Sequence, residues 1–489
     1  MGRKFFTVSS TILLIGIVIF LYIFIKSTVS SFTHDESFTY LNYPHASFMD
    51  IISYKGWYSN NHLLNTLFMK YSEKIFGSSE IALRLPNLLL LIVYMVYSYL
   101  LFRKTNHLLS LALFVLLCTN VLLIDLFGLA RGYGLSCGFM LMSLYHFIQS
   151  FHERKTKNLI FFHTGALLAI LSNFTLLTFF AALMLVYNLM VLIDHKFISK
   201  DKYNFFNLNK VHLVPLLLEA VILYEPIRRV LKFNSLDFGG KNDFYSDTVK
   251  NLIYNSLYNI HLSQFAMVGL QIIFTAIVMV SFIIIIKKIL NHDETFFKKF
   301  TCLIISNFLV IFISLSIILL HIILGIDYPV SRFSIFLYPV FIVHFGFLLY
   351  YFISTGYKKF TLIIAFGLSL VFAASFVLKA DLHTSAEWEY DSETKNMIRK
   401  LEAYHSMNGS GQRKIKLGID WLFEPTINFY RQTQGIDWLM PADRNGIKED
   451  DDYYYIFKTD LNILNSADYT VIFKFKRTNT CLLKNNKSR

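Results

Sequence analysis

Three ionisable side chains in a row, His34-Asp35-Glu36, stand just past a long apolar run and are followed by Ser37-Phe38-Thr39-Tyr40. Two adjacent carboxylates beside a membrane are costly unless they are solvated or employed. A carboxylate at the lip of a membrane cavity can take a proton from a hydroxyl or an amine. Arg or Lys converging from other loops can hold the charge of a phosphate leaving group. Transfer of a sugar from a phosphate would need both, and the phosphate needs no strong acid to help it depart. Asp35 is the candidate base. The plain alternative is a loop acid that caps the next helix.

These residues lie between segments that read as membrane spans. Of the 489 residues, 55% are hydrophobic and 16% charged, against about 25% charged in soluble domains. The charge is gathered in short basic clusters between long apolar runs. About eleven runs are long enough to cross: 5–25, 84–102, 108–127, 134–151, 158–173, 175–193, 211–227, 264–286, 300–324, 333–353 and 358–378. The first reads as an uncleaved span rather than a signal peptide. The net charge of +13 follows from the basic clusters, and no nucleic-acid motif accompanies them. Cys118, Cys137, Cys302 and Cys481 form no CxxC pair, so neither a disulfide framework nor a zinc knuckle is expected.

Sidedness follows from the same clusters. With a cytoplasmic N-terminus, the inside loops hold Arg103, Lys104, Arg154, Lys155, Lys157, Lys196, Lys200, Lys202, Lys210, Lys287, Lys288, Lys298, Lys299, Lys358 and Lys359, as the positive-inside rule expects. The opposite, non-cytoplasmic face then carries the first loop, 26–83, a second loop from Arg228 to Ser263, and everything after Lys379. The expected fold is thus an all-α polytopic membrane protein over residues 1–379, with a small C-terminal α/β extracytoplasmic domain over 380–489. In that domain Lys395–Glu402 reads as helix, and Ile415–Ile419, Tyr453–Phe457 and Tyr469–Phe475 as strands. A bacterial plasma (inner) membrane suits the chain.

Several stretches resemble the protein O-mannosyltransferase and aminoarabinose-transferase group of GT-C glycosyltransferases. The first loop supplies Asp35-Glu36, then Asn60-Asn61-His62, then Phe76-Gly77-Ser78-Ser79-Glu80-Ile81-Ala82-Leu83-Arg84-Leu85-Pro86. Between them His62 to Ile75 reads as an interfacial amphipathic helix with Leu63, Leu64, Leu67, Phe68 and Tyr71 on one side. Leu129-Ala130-Arg131-Gly132-Tyr133 keeps the family's Arg and Tyr but lacks the acid before them; either Asp125, a helical turn earlier, replaces it or the second acidic position is dispensable. Leu63-Leu64 stands where many members have two prolines. Tyr328-Pro329-Val330-Ser331-Arg332-Phe333, with Pro339, resembles the entry to a late span. The resemblance implies the GT-C fold, a polyprenyl-phosphate-linked sugar donor, a lipid, glycan or protein acceptor, and inverting transfer. It leaves room for a divalent cation without assigning its ligands.

On that resemblance, Asp35 serves as base while Glu36 positions the acceptor, a metal or Asp35 itself. Arg131 and Arg332 converge on the donor phosphate, where Arg binds two oxygens at once; each equally suits a snorkelling interfacial arginine. Arg84 reads as a helix-start anchor. His62 either hydrogen-bonds the phosphate or caps its helix. Arg228, Arg229 and Lys232, followed by Asp237-Phe238-Gly239-Gly240-Lys241, suit a flap over a lipid phosphate or an ordinary loop. Glu219 is expected to face the protein interior, and Asp327 to pair with Arg332. Two other readings stay open: a transporter or flippase for a lipid-linked saccharide, and a non-catalytic envelope-assembly protein.

Overall fold

A computed structural model describes residues 2–55, 60–153, 155–194, 205–233, 239–257, 262–407 and 414–487. Arg154, Lys196, Lys200 and Lys202 of the basic clusters, and Asp237 and Phe238 of the expected flap, lie outside the described residues. The helices run α1 (Gly2–Val29), α2 (His34–Asn42), α3 (Phe48–Ile52), α4 (Leu63–Phe76), α5 (Glu80–Phe102), α6 (His107–Cys118), α7 (Val121–Phe127), α8 (Gly132–His152), α9 (Thr156–Ser172) and α10 (Leu176–Ile193). They continue as α11 (Phe205–Lys232), α12 (Lys250–Ser256), α13 (Gln264–Leu290), α14 (Glu294–Lys299), α15 (Thr301–Leu324), α16 (Leu337–Ser354) and α17 (Lys358–Leu378).

Each expected span coincides with a helix. Among the described residues seven are long and apolar enough to cross a membrane: α1, α5, α10, α13, α15, α16 and α17. The expected continuous span 108–127 is instead broken, its halves α6 and α7 bent by 69°. Asn120 causes the break: its side chain accepts the Leu123 N–H at 3.0 Å and starts a new helix. Counted as one, the pair makes an eighth span. Gly132, Tyr133 and His146 dilute the apolar content of α8, and α9 is only 17 residues long. These two pack closely because Gly165 of α9 faces α8: a Cβ there would come within 2.9 Å of the Ser143 nitrogen.

After α17 come α18 (Thr394–Met407), β1 (Leu417–Ile419), α19 (Glu424–Thr433), β2 (Tyr453–Phe457), β3 (Tyr469–Phe475) and β4 (Thr480–Asn485). The sheet order is β1-β2-β4-β3, with β1 parallel to β2 and the remaining pairs antiparallel. Its core is continuous with the membrane part: Phe32, Tyr40, Met69 and Leu83 pack in one cluster with Ile427, Phe429 and Tyr455. Phe32 stacks on Phe429 with ring centres 4.2 Å apart, and Tyr430 Oη receives the Phe32 N–H at 2.7 Å. The first loop is therefore clamped between the helices and the C-terminal domain.

Candidate active site

Thr33 ends the extended entry to α2 and caps it. Its hydroxyl accepts the Glu36 N–H, and the Glu36 carboxylate accepts the Thr33 N–H at 2.9 Å, a reciprocal capping box. The capping role thus falls to Glu36, which leaves Asp35 free to point elsewhere in the same first turn. Both acids sit where a helix N-terminus favours negative charge.

Glu36 is fully enclosed at 0% exposure. Arg84 donates to it from Nε at 2.8 Å and from Nη2 at 2.7 Å, and the Ala130 N–H adds a third donor at 2.6 Å. Arg84, equally buried, also donates to the carbonyls of Ser27, Ser30 and Ser31. With every lone pair in use, Glu36 faces neither an acceptor nor a metal. It ties α2 to the starts of α5 and α8, and Arg84 is the anchor its position suggested.

Asp35 is partly open, with 15% of its side chain exposed. Its Oδ2 lies 3.5 Å from Arg131 Nη2 and 3.3 Å from Arg332 Nη2. Burial works against the charge on Asp35, but the two guanidinium groups outweigh it and hold the carboxyl below its ordinary range. Arg131 is fixed by Thr39 Oγ1 at 2.9 Å, by the carbonyl of Asn60 at 3.1 Å and by the Asn60 side chain. Gly132 lets this turn form, since a Cβ there would come within 1.9 Å of the Ser172 carbonyl.

Arg332 sits in the short turn before α16. Its Nε donates to Tyr133 Oη at 3.2 Å, and its Nη1 pairs with Glu387. The Trp388 ring lies 4.9 Å below the guanidinium. Glu387 and Trp388 come from the segment after α17, and no sequence motif pointed to them. Their only signal in the sequence is the acidic and aromatic run Glu387-Trp388-Glu389-Tyr390-Asp391, which falls by composition in the C-terminal domain. Asp327, expected to pair with Arg332, instead accepts the Gly239 N–H at 3.2 Å. Asp125 does not replace the missing acid either: it is buried against Lys26 Nζ at 2.7 Å.

His62 precedes α4 and makes no side-chain cap, so the capping reading fails. Burial, then the nearby Arg131, push its ring well below the usual range, so it is neutral. It bonds the Ser172 carbonyl while Nε2 has no partner. A proton on Nδ1 therefore leaves Nε2 a bare acceptor. The ring lies edge-on to Tyr133 with centres 4.7 Å apart and lines a cavity of about 250 Å³. Phe174, Val230, Leu320, Phe333 and Phe336 supply its apolar walls. Arg228, half exposed, pairs with Glu225 at 2.9 Å, and Lys232 lies over Phe233. The contacts of these two do not bring them to Asp35. Glu219 does face inward, accepting from or sharing a proton with His163 at 2.9 Å.

The acids around Asp35 do not fit a divalent cation. Asp35, Glu36 and Glu387 are each engaged by a guanidinium, and among the described residues no group of three or more His, Cys, Asp or Glu side chains is arranged to hold a metal ion.

No protein-family model and no curated protein matches the sequence. Solved structures do match. ArnT from Cupriavidus metallidurans in the apo state is 9% identical over 97% of this chain and 98% of that one, with a TM-score of 0.52. The same protein bound to undecaprenyl phosphate is 10% identical over 98% of each chain, with a TM-score of 0.53. The Archaeoglobus fulgidus oligosaccharyltransferase in complex with Zn and sulfate reaches only 0.45, at 13% identity over 97% of this chain and 73% of that one. The end-to-end match to ArnT, helices and C-terminal domain together, shows that this chain has the ArnT-like GT-C fold.

Proposed function

We propose that this chain is an integral-membrane glycosyltransferase. It takes a sugar from a polyprenyl-phosphate carrier and passes it, with inversion, to a lipid, glycan or protein acceptor at the non-cytoplasmic face. The observation that carries this reading is one carboxylate, Asp35, bracketed by arginines from two distant segments beside an apolar cavity. The undecaprenyl phosphate bound to the similar ArnT supports a lipid phosphate as the carrier.

The acceptor hydroxyl or amine attacks the anomeric carbon from the face opposite the phosphate. Its proton goes to Asp35, the bond from carbon to the phosphate oxygen breaks, and the charge left on phosphate falls to Arg131 and Arg332. The carrier chain lies along the apolar cavity, where each buried CH₂ contributes about 0.8 kcal/mol. His62 Nε2, an acceptor, suits a hydroxyl of the donor better than its phosphate. Glu36 and Arg84 hold α2 in place, and Glu387 positions Arg332. Arg228 and Lys232 flank that cavity through Ile227, Val230 and Leu231, and their described contacts are with Glu225 and Phe233.

Asp35→Asn and Asp35→Ala test the reading: each should abolish transfer while expression and membrane insertion persist. Survival of transfer in both removes the base. Transport of a lipid-linked saccharide in vesicles carrying either variant would favour the flippase alternative instead.

A further inference from the structure

We propose that a second site, at the end of the bundle away from Asp35, binds the phosphodiester headgroup of an anionic membrane lipid. Helix α5 begins with Glu80, close to the Asp35 cluster, and its 23 residues carry the chain ~34 Å before Lys104. There the ends of α5, α8 and α16 meet the start of α15 around a cavity of about 150 Å³.

Lys104, Lys299, His152 and Gln149 line it, and among the described residues no acidic one does. Lys104 stands close enough to His152 and Cys302 to act on both electrostatically. Lys299 lies over the Phe300 ring at 5.3 Å. The nearby acid, Glu153, bonds Lys155 at 2.9 Å and also feels the charge of Lys104. The floor is apolar, formed by Leu101, Ile148, Leu303 and Phe347.

Two ammonium groups above an apolar floor, with no carboxylate in the described lining, match an amphiphile that is anionic at one end and hydrocarbon at the other. A free phosphate shares the headgroup's charge but leaves the floor uncovered. The site also differs in kind from the Asp35 cluster. Lysines here are point charges without the planar fork of arginine, and no base stands beside them. Binding without chemistry follows, and the inference does not depend on the transferase reading.

The test uses the full-length protein in nanodiscs of phosphatidylcholine with or without phosphatidylglycerol, with retained lipid counted by native mass spectrometry. Wild type should retain phosphatidylglycerol in preference to phosphatidylcholine. Each of Lys104→Gln and Lys299→Gln should weaken that preference about fivefold and the pair about 25-fold, while Lys104→Arg with Lys299→Arg keeps it. If the glutamine pair fails to insert, the single variants decide. Equal retention by the glutamine variants and wild type overturns the site. Inorganic phosphate added to phosphatidylcholine nanodiscs should leave the melting temperature unchanged; if it stabilises wild type but not the glutamine variants, the ligand is a soluble anion and the lipid assignment is wrong.

Discussion

Neutralising Asp35 should move two measurements in opposite directions. In Asp35→Asn the proposed base is lost, and Arg131 and Arg332 lose the charge that they meet at 3.5 and 3.3 Å. Transfer should fall by roughly 10²- to 10⁴-fold, the usual worth of a positioned base. Binding of polyprenyl phosphate alone should instead tighten, because the carboxylate and the phosphate compete for the same guanidinium donors. A charge-assisted hydrogen bond contributes about 1.5–3 kcal/mol net. Only part of that is released, since Arg332 keeps Glu387 and Arg131 keeps Thr39 and Asn60. A release of about 1–2 kcal/mol corresponds to roughly 5- to 30-fold in Kd. Calorimetric titration of the purified variant with undecaprenyl phosphate reads the binding. Mass analysis of surface glycans and lipids, in cells lacking the chain and complemented with each variant, reads the transfer. Arg332→Ala is the opposite control, weakening both. Looser binding of undecaprenyl phosphate by Asp35→Asn would refute the competition and the placing of phosphate on these arginines.

The other predictions bear on the surrounding groups. Because the arginines hold Asp35 below the ordinary carboxylate range without donor, the acidic limb of kcat/KM should lie below that range; Arg332→Ala should move this limb upward, and an unmoved limb would separate Arg332 from Asp35. Glu36→Ala leaves Arg84 buried without its partner and should cost about 3–5 kcal/mol of stability, seen as a large drop in melting temperature or in yield. Lys26→Met should destabilise by a similar amount by stranding Asp125, whereas Lys26→Met with Asp125→Leu should regain most of it and keep transfer; lost transfer in a well-folded double variant would return Asp125 to the site. Glu387→Gln should lower transfer about tenfold with little change in fold, and equal activity would reduce Glu387 to a surface contact of Arg332.

Much of the helical scaffold was legible because long apolar runs have few other fates, and the basic clusters marked their ends. The break at Asn120 was not, since one polar residue inside an apolar run reads as a tolerated defect until its side chain is seen to cap α7. Asp35 in the first loop stood out by type and position, the family resemblance added Arg131 and Arg332 from later segments, and the structure brings both arginines to Asp35. The division of labour between Asp35 and Glu36 was hidden. Two neighbouring acids in a helix's first turn look alike in sequence, and only the reach of Arg84, 48 residues away, claims one of them. Glu387 was hidden for a different reason. Composition separates the chain after Lys379 as a soluble domain, yet burial of Phe32, Tyr40 and Phe429 in one core brings that domain back onto the site. β4 and α19 were missed because their apolar residues are few and lack a clean alternation.

A base held below its ordinary range looks poorly suited to accept a proton, but the cause of the depression resolves the difficulty. On the proposed reading, the charges that lower the proton affinity of Asp35 are those the donor phosphate recruits. Without donor, Asp35 stays ionised and weakly basic, engaged with Arg131 and Arg332, and an acceptor or water beside it is not activated. When the phosphate arrives and shares those guanidinium donors, the electrostatic hold on Asp35 relaxes. Burial, which acts the other way on the same carboxyl, then gains weight and raises its proton affinity. Glu387 and Tyr133 matter here because they keep Arg332 from following the phosphate away from Asp35. Base strength is thereby coupled to donor occupancy through one pair of arginines, which ties proton transfer to the presence of the sugar to be moved.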